Sequence, residues 1–204
     1  DAARADRSAP LYDLLNARYL ITDATTDAPS GFREALRTTD GLVIWENDDA
    51  MPRVWLAYAA DGVPADEALQ RVRQPGFDPR RDLYISGSLP AAEPGGVGTA
   101  RIAGYEPDVV RVAVETDRAA YLILADVDYP GWRATIDGEP AATATADGVF
   151  RAVRVPAGSH EVVWRFAPPL VRVGTALAAA GAVGILAVSV VGIRRRARAS
   201  RRDS

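Results

Sequence analysis

Residues 121–140, YLILADVDYPGWRATIDGEP, decide the fold because they place two turn motifs between runs of strand length. In residues 129–132, YPGW, proline fixes φ and glycine accepts a positive φ, which predicts a type II turn. The Asp-Gly pair at 137–138 predicts a type I′ hairpin turn. The nearly continuous apolar run 121–127 is typical of a central strand. The stretch therefore predicts strand, corner, strand, hairpin and strand, and both turns need these residues for backbone reasons alone.

The sequence around this stretch continues the β pattern. Residues 109–115, VVRVAVE, alternate between apolar and charged side chains, as a half-buried strand does. The runs FRAVRVP and HEVVWRF flank residues 157–159, AGS, and predict a hairpin. Several short strands with frequent turn signals predict an antiparallel β-sandwich over residues 97–168.

Residues 1–95 predict a small α+β region, so that the fold class as a whole is mainly β with short helices. Whether this region and the sandwich share one core or form two is left open by the sequence. Residues 89–98, LPAAEPGGVG, have the composition of a linker or long loop. The predicted elements before that loop are a helix from Leu11 to about Asn16, a strand over Tyr19–Thr22, a short helix or helical turn within 30–41, strands within 42–48 and 52–60, and a helix within 63–76.

The composition excludes several classes of function. The 204 residues include no cysteine and one histidine, His160, so disulfides, thiolate metal sites and a histidine-rich zinc site cannot be built from this chain alone. The net charge of −3 divides into −8 for the body and +5 for residues 194–204, RRRARASRRDS. The acidic body argues against nucleic acid binding.

Residues 173–193, VGTALAAAGAVGILAVSVVGI, form an uncharged run of 21 residues. As a helix the run would be about 31 Å long, which matches the hydrocarbon core of a bilayer. A buried core helix is the alternative, but such a helix rarely stays uncharged for so long and then meets six arginines. The run therefore predicts one C-terminal transmembrane helix. The positive-inside rule then places the tail 194–204 in the cytoplasm and residues 1–172 outside it.

Small residues recur four positions apart in this run, as at Gly174, Ala178 and Ala182. This spacing suits close packing on other transmembrane helices, although an alanine-rich composition explains it equally well. The chain begins DAARADRSAP, without an initiator methionine or a signal peptide. We expect either a cleaved signal peptide or earlier transmembrane helices to carry the acidic domain across the membrane.

The corner at 129–132 supplies the candidate site residues. Tyr129 and Trp132, with Asp128 beside them, are candidates for contact with a glycan, since aromatic rings stack on sugar faces. Packing over the core and placement in the membrane interface are the alternative explanations for the two rings. Asp126 and Asp128 form a D-x-D pattern, but two carboxylates are too few for a hard cation, so we predict no metal site and no cofactor.

No catalytic residue is predicted in this chain. A turn cluster accounts for Glu46, Asp48 and Asp49 without glycosidase chemistry. We interpret His160 as a partly buried residue beside a turn rather than a ligand or base. Nucleophile-elbow, phosphate-loop and dinucleotide motifs do not occur in the sequence.

The order of these segments resembles the C-terminal end of the YfhO family of bacterial polytopic membrane proteins. The resemblance rests on YLILADVDYPGWRATIDGEPA, then FRAVRVPAGSHEVVWRFAP, then a hydrophobic helix, with LYDLLNARYLIT and VIWENDDAMPRVWLA upstream. It covers most of residues 10–193. Similar endings occur on large membrane proteins related to C-type glycosyltransferases.

The resemblance implies a role in glycosylation of the bacterial cell envelope, with a lipid-linked sugar as donor and an envelope glycan or polymer as acceptor. The catalytic carboxylate of such an enzyme is expected in a loop upstream of this chain, which would then be accessory and would pack against upstream transmembrane helices. The alternatives are a single-pass, membrane-anchored module that binds a glycan or a protein without catalysis, and a structural subunit of an envelope complex.

Overall fold

The computed structural model describes residues 9–168 and, beyond them, the single positions Gly174, Ala178 and Gly181, each of which is helical and exposed. The predicted transmembrane helix 173–193 and the basic tail 194–204 otherwise lie outside the described residues. Among the residues that are described, no helix is long and apolar enough to cross a membrane.

The described part of the chain consists mostly of short strands, which confirms the prediction of a mainly β protein. Its two helices are α1 (Ala9–Leu14) and α2 (Ala65–Arg71). The strands are β1 (Tyr19–Asp23), β2 (Phe32–Arg37), β3 (Leu42–Asn47), β4 (Val54–Ala57), β5 (Asp61–Gly62), β6 (Tyr84–Ser86), β7 (Gly98–Tyr105), β8 (Val109–Thr116), β9 (Ala120–Val127), β10 (Trp132–Ile136), β11 (Glu139–Ala141), β12 (Thr143–Ala146), β13 (Phe150–Val155) and β14 (Gly158–Phe166).

Two sheets pack face to face as a sandwich. One has the strand order β11-β10-β14-β8-β7, and the other has the order β4-β9-β13-β12-β6-β5. Neighbours such as β7 and β8 or β9 and β13 run antiparallel, whereas β5 and β6 run parallel. The core between the sheets takes side chains from both, including Val112 and Trp164 from the first and Leu122 and Val153 from the second. The structure thus contains a two-sheet sandwich, but its six-stranded sheet also includes β4, β5 and β6, which precede the predicted range 97–168.

Alternation along β8 shows why this pattern folds as half-buried strand. Val110, Val112 and Val114 are buried against the other sheet, while Glu115 points to solvent. β9 lies between β4 and β13 and is buried along most of its length, as expected for a central strand. Burial of these apolar side chains, at about 25 cal/mol per Å² of apolar surface, is the main stabilising term of the sandwich.

A second apolar cluster covers the side of the six-stranded sheet that faces away from the five-stranded sheet. Leu14 of α1 and Val72, at the end of α2, pack there with Phe77, Tyr121 and Ile123. Residues from both sides of the loop at 89–98 therefore line the same cluster. The boundaries of α2 agree with the predicted helix, whose first turn carries acidic residues and whose last turn carries Arg71.

The prediction of a helix or helical turn within 30–41 is wrong, since residues 32–37 form β2. This strand pairs with β3 in a separate three-stranded sheet of order β1-β3-β2. Glu, Ala, Leu and Arg favour helices intrinsically, but that preference is worth only tenths of a kcal/mol per residue. Pairing with β3 buries Phe32 beside Val43 and Trp45, and this burial decides the outcome.

The predicted hairpin between residues 150–156 and 160–166 is also wrong, because β13 and β14 lie in different sheets. β13 pairs with β9 and β12, whereas β14 pairs with β8. A two-residue hairpin turn needs a positive φ at its first position, which Pro156 cannot adopt. The chain instead crosses between the sheets, and Gly158 has φ +128° where it enters the second one.

The last strand ends at the end of the sandwich that also holds the corner between β9 and β10. Arg165 of β14 pairs with Val109, and Tyr105 pairs with the next residue of β8. The Tyr105 hydroxyl in turn donates to Asp126 near the carboxyl end of β9. We call this end of the sandwich the exit end.

Candidate functional site

The corner between β9 and β10 is built by the two turns that the sequence predicts. Gly131 has φ +114°, and the Trp132 amide donates to the Tyr129 carbonyl at 3.3 Å, as a type II turn requires. Asp137 and Gly138 have φ values of +52° and +89°, which fits a type I′ turn. The corner thus turns the chain from the six-stranded sheet into the five-stranded one.

Trp132 is held in place by an arginine that belongs to the opposite sheet. The guanidinium carbon of Arg151 lies 3.7 Å from the centre of the Trp132 ring, within the range of a cation–π contact. Arg151 is 5% exposed, and its Nε donates to the Val127 carbonyl at 3.1 Å. Burial lowers the pKa of Arg151 from its ordinary value, and the charge of Asp126 opposes that effect. The guanidinium remains charged, as arginine does in proteins.

Asp126 joins the two sheets at this end. Its carboxylate accepts from Arg53 Nη2 at 2.5 Å and from the Tyr105 hydroxyl at 3.0 Å, and it lies 3.8 Å from Arg151 Nη1. Arg53 also donates to the Tyr105 hydroxyl at 2.7 Å. Since Tyr105 comes from β7 and Asp126 from β9, this charged cluster bridges the sandwich behind Trp132.

The two carboxylates of the D-x-D pattern have different partners. Asp128 Oδ2 accepts from the Thr145 hydroxyl at 2.5 Å, and the Asp128 amide donates to the Val149 carbonyl. The pairing of β9 with β13 shifts register between Phe150 and Arg151, which marks a bulge at this point of the ladder. Within the described part of the chain, no group of three histidine or acidic side chains could hold a metal ion.

The candidate site residues differ in how much of each side chain is exposed to solvent. Tyr129 is 62% exposed, whereas Trp132 is half-buried. Tyr129 offers a ring to a ligand at the corner, and Trp132 offers the part of its ring that the sandwich leaves open. The arrangement supports binding through aromatic faces and a nearby carboxylate.

His160 lies at the opposite end of the sandwich and is held from both ring nitrogens. Nδ1 contacts Asp137 Oδ2 at 2.6 Å, and Nε2 lies 3.2 Å from the Ala157 carbonyl. The bond to Asp137 raises the pKa of His160 above its ordinary value. A carbonyl and a carboxylate both accept, so these contacts favour the doubly protonated ring, which cannot act as a general base. His160 is half-buried beside the turn, in the place that the sequence suggests.

The acidic residues before β4 are held in ion pairs. Glu46 pairs with Arg18 and Arg33, and Asp48 also pairs with Arg33. Asp49 pairs with Arg80 at 3.4 Å. These contacts fix the bend after β3 and account for the acidic cluster structurally.

Arg53, Tyr105 and Arg151 are the site residues that the sequence analysis misses. One signal for Arg151 is present in the sequence, because it is a charged residue directly flanked by the apolar residues Phe150 and Ala152. A charge buried in this way needs a partner, so it points to a nearby carboxylate. Which carboxylate it meets follows from the pairing of β9 with β13, and that pairing is a tertiary feature.

Comparison with known proteins yields one family. Residues 100–178 match the family model described as bacterial membrane protein YfhO. The match includes Tyr105, Asp126, Tyr129, Trp132 and Arg151. No curated protein and no solved structure matches the chain.

Proposed function

We propose that the chain is a member of the YfhO family of bacterial membrane proteins, whose family model matches residues 100–178, and that its sandwich is an accessory, extracytoplasmic part of a protein that glycosylates the cell envelope. In this proposal residues 173–193 cross the membrane, residues 194–204 lie in the cytoplasm, and catalysis takes place elsewhere in the parent protein. The uncharged run and the arginine cluster that follows it support this orientation.

The role of the sandwich is to hold a glycan at the corner between β9 and β10. The observation that carries this proposal is the exposed ring of Tyr129 at the first position of a turn whose last residue, Trp132, is fixed by the buried Arg151. A ring that is already immobilised loses little conformational entropy when a ligand binds. Asp128 lies beside the two rings and supplies acceptor oxygens for sugar hydroxyls.

A binding experiment with the full chain in lipid nanodiscs tests this role. We expect envelope oligosaccharides to bind the wild-type chain, and Tyr129→Ala to weaken binding by about tenfold, which corresponds to about 1.4 kcal/mol for one lost ring contact. The measurement is isothermal titration against a panel of neutral and acidic oligosaccharides. Tyr19→Ala is the matched control, since Tyr19 is also an exposed tyrosine, 56% exposed, but lies in the three-stranded sheet.

Trp132→Ala is the second variant in this experiment. It removes the ring that Arg151 covers, so a loss of affinity is expected together with some loss of stability. The proposal is wrong if the wild-type chain binds none of the oligosaccharides, or if Tyr129→Ala and Trp132→Ala both bind with unchanged affinity. Tyr129→Ala alone decides the case if Trp132→Ala does not fold, because the Tyr129 side chain is mostly exposed.

A further inference from the structure

The three-stranded sheet exposes an apolar face to solvent. Its central row runs across all three strands, since Ile21 of β1 and Leu36 of β2 both pair with Ile44 of β3. Ile21 is 62% exposed and Leu36 is 54% exposed. Leu42 extends the row on one side. We call the side chains of Tyr19, Ile21, Leu36, Leu42 and Ile44 the outer face.

A bulge in β2 places the third aliphatic side chain in that row. The pairing of β2 with β3 shifts register between Glu34 and Leu36, so that Ala35 is the extra residue. Strict alternation from Phe32, which is buried, would turn Leu36 toward the inner face. The bulge turns it outward beside Ile44. Bulges commonly redirect one side chain in this way, and here the result is a continuous aliphatic row in water.

The opposite face of the same sheet is already covered. Phe32, Val43 and Trp45 form a small core there, and Tyr12 of α1 packs edge-on against Phe32 with ring centres 5.5 Å apart. The sheet therefore already has a core on its inner face, and the absence of a core does not explain why its outer face is exposed. Contiguous exposed apolar surface on a folded domain usually marks a binding surface.

The flank of the outer face next to Tyr19 is polar and carries two arginines, whose charges are balanced by Glu46 and Asp48. Tyr19 and Arg33 both pair across from Glu46, and the Tyr19 hydroxyl donates to that carboxylate at 3.1 Å. Glu46 is only 12% exposed because Arg18 and Arg33 cover it, while those two side chains are 67% and 57% exposed. An aliphatic row with tyrosine and arginine along one side has the layering of a membrane interface, where tyrosine and arginine lie at the headgroups.

The sheet is attached at the exit end of the sandwich. β3 ends at Asn47 and β4 begins at Val54, beside Arg53 and Asp126. Nine large apolar side chains are exposed in the described part of the chain, and five of them lie within residues 15–42. Three more lie at the exit end, namely Tyr105, Val127 and Tyr129. The ninth, Val97, lies at the other end of the sandwich. β14 ends at Phe166, and the uncharged run begins seven residues later in the sequence, at residue 173.

From these observations we infer that the outer face docks on the surface of a lipid bilayer. Ile21, Ile44 and Leu36 enter the boundary of the acyl chains, and Arg18 and Arg33 meet the headgroups. A chain anchored by residues 173–193 would hold the outer face at a high effective concentration of bilayer surface. This inference does not use Tyr129 or Trp132, so it stands or fails independently of glycan binding.

Site-directed spin labelling tests the inference, because the chain has no cysteine and a single one can be introduced anywhere. A nitroxide is attached at Ile21→Cys, and the full chain is reconstituted in vesicles of phosphatidylethanolamine and phosphatidylglycerol. We expect the label to collide readily with oxygen and to lose collisions with a water-soluble nickel chelate. Val97→Cys is the matched control, since Val97 is an exposed apolar residue at the far end of the sandwich and its label should stay accessible to nickel.

Two outcomes would overturn the inference. Equal access of the nickel chelate to both labels would mean that the outer face stays in water. Protection of the Ile21 label from both reagents would indicate a protein partner, and dipolar coupling between labels on two chains would identify that partner as a second copy.

Discussion

Asp147 is a residue whose surroundings strongly change the pKa of its side chain. It lies in the turn between β12 and β13 and is 1% exposed. Its Oδ1 accepts from the Tyr84 amide at 2.9 Å, whereas its buried Oδ2 has no hydrogen-bond partner in the described part of the chain. Burial raises the pKa of Asp147 to about 7, although the bond from Tyr84 opposes the change. A carboxyl group in this position is therefore mostly protonated below neutral pH.

We expect the wild-type chain to lose stability as the pH rises, and we expect Asp147→Asn to remove this pH dependence. The pKa is higher in the folded chain, about 7, than the ordinary 3.8 of the unfolded one, so between these values the folded state holds a proton that the unfolded state releases. Stability therefore falls from about pH 4 to about pH 7, by roughly 4 kcal/mol at most. Asparagine keeps the acceptor for Tyr84 and tolerates the φ of +51° at this position.

Urea unfolding of both chains at pH 4.5 and pH 8 measures this effect. The variant should be the more stable chain at pH 8, and the difference should shrink at pH 4.5. A difference that is the same at both pH values would show that Asp147 does not titrate in this range. The pair His160 and Asp137 does not confuse the comparison, because it is present in both chains.

The contact between α2 and the turn after β12 shows how one element is fixed on another. Gly148 follows Asp147 with φ +76°, and a Cβ built there would lie 2.5 Å from Leu69 Cγ and 2.8 Å from the Ala65 carbonyl. The absence of a side chain therefore lets the helix approach the hairpin closely. Gly95 has nearly the same φ, +77°, but nothing lies within 4 Å of its Cβ position.

Gly148→Ala and Gly95→Ala form a matched pair that separates backbone strain from helix packing. Each alanine adopts a left-handed φ, which costs about 1–2 kcal/mol. In Gly148→Ala the methyl group also collides with α2, and overpacking of this kind costs a further 1–3 kcal/mol or so. Thermal unfolding of the two variants should thus show a clearly lower melting temperature for Gly148→Ala. An equal loss in both would mean that α2 moves aside without cost.

At the scale of the whole molecule, charge and apolar surface are both distributed unevenly. The body is acidic, the last eleven residues are basic, and an uncharged run lies between them. The exposed apolar side chains that the structure describes concentrate at the exit end and in the sheet attached to it. The acidic body therefore precedes the predicted transmembrane run in the sequence, and the basic tail follows it.

We expect the full chain to remain in the membrane fraction after an alkaline carbonate wash. Ile185→Arg combined with Leu186→Arg should release it, because each arginine at the centre of a transmembrane helix costs about 2.5–3.5 kcal/mol of insertion free energy. Ala197→Arg combined with Ala199→Arg is the control, since it adds the same charge within the basic tail. Retention of the first double variant would argue that residues 173–193 do not anchor the chain.

Local sequence patterns were sufficient for most elements of the fold and for part of the site. The alternation in β8, the apolar run of β9 and the two turns that bound β10 each depend on residues that are neighbours in sequence, so the pattern alone predicts them. Tyr129 and Trp132 could be named as candidates for the same reason, since the turn motif that contains them is local. Arg151 could not be assigned its partners, because Trp132 and Asp126 meet it only after two sheets have formed.

The sequence by itself determined that this chain is mainly β, that its corner turns at residues 129–132 and that its body and tail carry opposite charge. Tertiary structure decided that β13 and β14 enter different sheets and that residues 32–37 form a strand rather than a helix. For residues 32–37 the local preference is worth less than the burial that pairing provides, and burial depends on residues far away in sequence. For that reason the packing of Arg151 on Trp132 and the aliphatic row of the outer face became visible only in the folded chain.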